Sequence, residues 1–144
     1  MRILIGVFAL AVLTGCSTSP LSSENAKAVP VERLLQYQEK SAKNDATVVV
    51  TRDSGLMMGG GCHLGFFVDG KLSARLSPGE TAKFYVPSGE RLLGMGSDPK
   101  GNGLCAISSV ALREVNATLT PGVVKRFRIL GDQTGGFTIT PTSY

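Results

Sequence analysis

Leu64-Gly65-Phe66-Phe67-Val68-Asp69-Gly70-Lys71-Leu72-Ser73-Ala74-Arg75-Leu76 consists of two short apolar-rich runs joined by Asp-Gly. Asp-Gly between such runs is the strongest local hairpin signal. A type I′ turn needs positive φ at both central residues, which Gly adopts freely and Asp tolerates. Residues 64–68 and 71–76 are therefore expected to pair as antiparallel strands. Upstream, Ala46 to Arg52 (ATVVVTR) is a β-branched run bounded by polar residues, which suits a strand buried in a sandwich. Downstream, Ser77-Pro78-Gly79-Glu80 turns the chain into a strand over 81–86, and Pro87-Ser88-Gly89-Glu90 turns it again into 91–95. Gly94 to Gly103 (GMGSDPKGNG) gathers chain breakers and reads as a loop. Residues 109–119, 123–130 and 136–141 read as further strands, separated by Thr120-Pro121-Gly122 and the Gly-flanked turn 131–135.

About seven short strands with turns roughly every ten residues, and no long helix, point to an all-β fold, a small antiparallel β-sandwich over 46–144. The chain has no Trp, so the buried indole of an antibody-type domain is excluded. Phe66, Phe67, Phe84, Tyr85, Phe127 and Phe137 supply the aromatic part of the core. Where two are adjacent, strand alternation turns only one inward. The outward members of Phe66/Phe67 and Phe84/Tyr85 are candidates for a binding strip.

The residues before the sandwich divide differently. Met1-Arg2 opens a basic start, Ile3 to Leu13 is apolar, and Leu13-Thr14-Gly15-Cys16 closes the run. Eleven residues fall short of the roughly 20 needed to cross about 30 Å of hydrocarbon as a helix. A short apolar region ending in small residues is what a signal peptidase processes. Leu13-Thr14-Gly15-Cys16 closely resembles the bacterial lipobox. The resemblance implies a signal peptide over 1–15, cleavage before Cys16, and acylation of the Cys16 thiol and amine. Each buried CH₂ contributes about 0.8 kcal/mol and one chain holds only marginally, so two or three chains make attachment lasting. Ser17 stands where inner-membrane retention usually shows Asp. The resemblance therefore implies an outer-membrane lipoprotein whose domain faces the periplasm.

From Ser17 to Pro30 the composition is mostly small and polar, which predicts a flexible tether. Val31 to Ala42 (VERLLQYQEKSA) spaces Val31, Leu34, Leu35 and Gln38 as a helix would, after a Pro allowed near a helix start. A short helix and an extended lead-in both fit, so 16–45 is read as lipidated N-terminus, tether and lead-in.

Loss of residues 1–15 removes one charged side chain, Arg2, and takes the formal charge from +4 to +3. Spread along the chain, this mild excess is too small to argue for nucleic acid and fits a solvated surface with weak attraction to anionic headgroups or envelope polymers. With Cys16 acylated, Cys62 and Cys105 remain. An exported chain meets an oxidising space, so they are expected to form a disulfide. It closes a loop with 42 residues between the cysteines, for which the chain-entropy relation gives roughly 4 kcal/mol.

No pattern reads as catalysis. His63 adjoins Cys62, but one His and two Cys without paired spacing fall short of a zinc site. Met57-Met58-Gly59-Gly60-Gly61 shares only glycines with a phosphate loop and lacks the Gly-Lys-Ser/Thr ending. His63 as a general base has no nucleophile to serve. Arg52-Asp53-Ser54-Gly55 suits a capped turn or, through Arg52, an anionic partner. Asn116-Ala117-Thr118 matches a glycosylation sequon that a bacterial lipoprotein does not use. No cofactor, metal or small-molecule substrate is indicated.

Val68-Asp69-Gly70-Lys71, Leu76-Ser77-Pro78-Gly79-Glu80 and Tyr85-Val86-Pro87-Ser88-Gly89-Glu90 together resemble PEGA-type surface domains and related bacterial lipoprotein families. The resemblance covers about 46–96 and implies an Ig/PEGA-like envelope sandwich without catalytic residues. It carries turn chemistry, which specifies fold more than activity. The expected function is a lipid-anchored, non-catalytic interaction module for an envelope protein or polymer. Its contacts fall on loops 53–63 and 94–104, with Arg52, Asp53, Met57, Met58, His63, Lys100 and Asn102 as candidates. The alternatives are a structural or accessory lipoprotein docked through strand edges or the 31–45 lead-in, and a defensive lipoprotein blocking a phage or toxin receptor.

Overall fold

The structure is a computed structural model, and it describes residues 18–55, 61–132, 134 and 136–143. The strands are β1 (Lys27–Ala28), β2 (Ala46–Arg52), β3 (Leu64–Val68), β4 (Lys71–Leu76), β5 (Glu80–Val86), β6 (Gly89–Ser97), β7 (Arg113–Leu119), β8 (Val124–Gly131) and β9 (Phe137–Thr142). They form two sheets, ordered β1-β5-β2-β8-β9 and β4-β3-β6-β7, packed as a sandwich. The β3–β4 hairpin pairs as its sequence demands, Leu64 opposite Leu76 and Val68 opposite Lys71. Asp69 and Gly70 both take positive φ, 48° and 76°.

β2 lies at the centre of the five-stranded sheet, and all seven of its residues are buried. Val48 and Val50 face the second sheet, while Val49 on the outer face lies between Lys83 and Arg126 in the register. Long aliphatic stems on either side cover this outward valine and keep it buried. Across the core, Phe66 and Phe84 meet with ring centroids 4.8 Å apart and tilted by 38°, a favoured arrangement for aromatic quadrupoles. Phe127 and Phe137 complete the aromatic core. Phe67 and Tyr85 turn outward from different sheets, so they lie on opposite faces and form no common strip.

Two pairings within the sandwich are parallel, β1 with β5 and β2 with β8. The chain also departs from expectation around Gly94. Residues 94–97 continue β6 instead of opening a loop. The glycines there answer to a close neighbour: a Cβ on Gly96 would lie 3.3 Å from the Leu112 backbone. A four-residue helix, α1 (Leu104–Ile107), occupies the connection from β6 to β7.

Ser17 and Cys16 lie outside the described residues. From Thr18 onward the segment read as tether and lead-in follows the sandwich closely. The Ser19 N–H donates to the Ser54 carbonyl, Lys27 N–H to Gly79, and Val29 N–H to Thr81. One 3-10 turn forms at Val31–Arg33. The chain is then extended, with Leu34 bridging to Ala74 and Tyr37 accepting the Tyr85 N–H. Composition measures apolar burial, and here order comes instead from backbone pairing onto open strand edges.

Candidate functional site

One end of the sandwich gathers the C-terminal ends of β2, β4, β6 and β8 with the starts of β3, β5, β7 and β9. The disulfide between Cys62 and Cys105 closes across it, with Cα atoms 5.4 Å apart. It fastens the segment before β3 to α1. Ser97 Oγ accepts the Val110 N–H, and its one proton is shared between the Ser108 and Val110 carbonyls. The excursion 98–112 is thus tied to the sheet near both of its ends and in its middle.

Arg52 and Asp53 lie inside this end, not on an exposed loop. Arg52 is 3% exposed and donates to the carbonyls of Cys62 and Leu76, each at 2.8 Å, with its guanidinium 5.3 Å from the Phe137 ring centre. Burial brings its pKa down to about 10, so it remains a cation at neutral pH. Asp53, 1% exposed, pairs with Arg128 and accepts a hydrogen bond from the Thr18 hydroxyl. Strand alternation carries Arg52 inward behind Val48 and Val50, and the carbonyls around it supply acceptors. Both residues therefore hold the end together and are withdrawn from any outside partner. Met57 and Met58 lie outside the described residues.

Two further ion pairs, absent from the expected set, brace the same region. Arg33 reaches from the 3-10 turn to Glu80 with a two-pronged contact of 2.6 and 2.7 Å. Burial acts to raise the Glu80 carboxyl, and the Arg33 bonds with the Ser77 N–H more than offset it, leaving the carboxyl below its ordinary range. Arg75 grips Asp98 in the same fashion at 2.7 and 2.9 Å. At Asp98, too, burial is outweighed by Arg75 and the Lys100 N–H, and the pKa falls. The legible signals were the turns Ser77-Pro78-Gly79-Glu80 and Ser97-Asp98-Pro99-Lys100, whose carboxylates accept N–H groups close in sequence. Their arginine partners lie 47 and 23 residues away and left no local trace.

His63 sits with Nδ1 3.8 Å from the Asp98 carboxylate. Burial first, then the Arg33 and Arg75 cations, push its pKa below the usual histidine value, against the pull of Asp98. It is a neutral side chain at the edge of an ion-pair network. Of the remaining candidates, Lys100 and Asn102 are exposed, and both use only backbone groups in holding the excursion. Leu104 and Ile107 on α1, absent from the candidate set, are 81% and 77% exposed. Among the described residues, the excursion at this end exposes Lys100, Asn102, Leu104 and Ile107 on a stapled frame. Comparison with known protein families, with characterised proteins and with solved structures finds no match for this chain.

Proposed function

We propose that this chain is a lipid-anchored lipoprotein of the bacterial outer membrane that acts as a non-catalytic interaction module for another envelope component. The anchor rests on the resemblance of Leu13-Thr14-Gly15-Cys16 to a lipobox. The interaction role rests on one observation, the excursion 98–112, which the disulfide and the Asp98 and Ser97 bonds hold in place while it presents exposed polar and apolar side chains. Binding residues on loops fixed to a rigid scaffold lose little entropy on association.

Crosslinking in the native envelope tests it, with a photoreactive residue at Lys100 or Asn102 and, for comparison, at Asn116 or Thr118 on β7. One dominant protein or polymer captured from 100 and 102 supports the module. Capture confined to the β7 positions favours the accessory reading. That reading has its own support, since β7 is the outer strand of its sheet and borders a cleft of about 560 Å³ lined by Lys125, Phe127 and Pro141. The 31–45 lead-in is a weaker dock, because its backbone is already bonded to Ser73 and Tyr85.

A further inference from the structure

We infer that α1 is a membrane-contacting element: the stapled end of the sandwich faces the bilayer that holds the anchor, and Leu104 and Ile107 enter its headgroup and acyl boundary. This rests on the reading of Cys16 as the acylated residue, and it names what the stapled end meets first.

The placement follows from chain length. Thr18 is fixed to the stapled end: its hydroxyl donates to Asp53, and the Gly131 N–H donates to that hydroxyl at 3.0 Å. Ser19 pairs with Ser54 immediately beyond. Cys16 is two residues from Thr18, and two residues span at most about 7 Å of extended chain. An acyl chain seated in the bilayer at Cys16 therefore holds the ends of β2 and β8 close to the headgroups, with no slack for the domain to stand away. α1 joins β6 to β7 at this same end, one sheet across, and packed sheets lie about 10 Å apart. Two large apolar side chains almost wholly exposed, beside a lipid attachment point, are thus brought to the membrane plane. Lys100 and Arg113, both exposed at this end, are matched in charge by the exposed carboxylates of Glu114 and Asp132, so the contact with the bilayer rests on the apolar side chains. Partners reached through Lys100 and Asn102 are then components lying at the membrane surface, and the turns around Asp45, Ser88 and Gly122 point away from it.

The chain has no Trp, so single reporters can be introduced without background. Leu104→Trp tests α1, and Val123→Trp, 45% exposed beside Gly122 at the far end, is the control. Both are made in the full-length protein, purified from the envelope and reconstituted into vesicles of phosphatidylethanolamine with a minor share of phosphatidylglycerol, with and without brominated acyl chains. Intact mass establishes whether Cys16 carries lipid. With the anchor present, blue-shifted Leu104→Trp emission quenched by the brominated chains, with water-like unquenched emission from Val123→Trp, is the expected result. Equal quenching at both positions, or none at 104, overturns the orientation while leaving the anchor intact. A blue shift at 104 without bromine quenching also overturns it, since the side chain is then covered by protein and not by lipid. A Cys16 of unmodified mass removes the anchor and the inference together.

Discussion

Replacing both Cys62 and Cys105 by Ser tests how this end is held. The bond joins residues 43 apart, and the entropy of closing such a loop in the unfolded chain amounts to about 4 kcal/mol at 25 °C. The structure adds a second effect. Cys62 supplies one of the two carbonyls that accept from buried Arg52, so loosening that segment removes a partner from a desolvated cation. A lost acceptor of this kind costs about 1 to 3 kcal/mol. The double variant is expected to lose about 5 to 7 kcal/mol, a large part of the 5–15 kcal/mol typical of a domain. Urea unfolding followed by far-ultraviolet circular dichroism measures it, since at a slope of about 2 kcal/mol/M the midpoint falls by about 2.5 to 3.5 M. Arg52→Met in both backgrounds isolates the second effect, because the substitution should cost less once the disulfide is gone. Additivity within about 0.5 kcal/mol would show that Arg52 and the staple act independently. A total loss under about 1 kcal/mol would refute the loop-closure argument itself.

Glu80→Gln should cost roughly 2 to 3 kcal/mol, less than a fully buried pair because solvent still reaches it. Loss of the Arg33 clamp should also speed hydrogen exchange over residues 27–35, and unchanged exchange there would sink the clamp. Acid should weaken the protein in two stages. His63 has its folded pKa depressed, so the unfolded chain binds that proton first and stability declines below about pH 6.5. Glu80 and Asp98, also depressed, contribute stability that is present above about pH 4 and is lost as pH falls through their folded values. Urea midpoints followed across this range in His63→Gln should lack the first stage and keep the second; persistence of the first stage assigns it elsewhere. Gly96→Val should cost about 1 to 3 kcal/mol by pressing on the Leu112 backbone, and a wild-type thermal midpoint would refute that close approach.

Strand identity was legible wherever a turn had its own chemistry. Asp69-Gly70, Ser77-Pro78-Gly79 and Pro121-Gly122 each mark a boundary that the structure keeps, and β2 follows from its β-branched run. Glycine misled at Gly94 and Gly96. Its meaning there is proximity to Leu112 and Glu114, a fact of tertiary packing that no local rule contains. β1 is two residues of ordinary polarity that pair only because β5 offers a free edge. At the stapled end the cysteines were readable, whereas Arg52 looked like an exposed loop cation because its acceptors are carbonyls 10 and 24 residues away. The arginines that neutralise Glu80, Asp98 and Asp53 come from distant strands or the lead-in, so the internal use of these charges became visible only in three dimensions.

The parallel pairing of β2 with β8 has a consequence for how the chain reaches this state. Ala46–Arg52 must wait for its central neighbour Val124–Gly131, which lies far along the chain. Until then β2 can pair along one side, with β5, while its other row of amide groups stays open beside three consecutive valines. Closing so distant a pair is slow, because the entropy of the intervening chain must be overcome before the contacts form. The interval is the period of greatest exposure to edge-to-edge aggregation. Truncation anywhere before β8 leaves that edge permanently uncovered, so β8 acts as the seal on a strand far upstream of it.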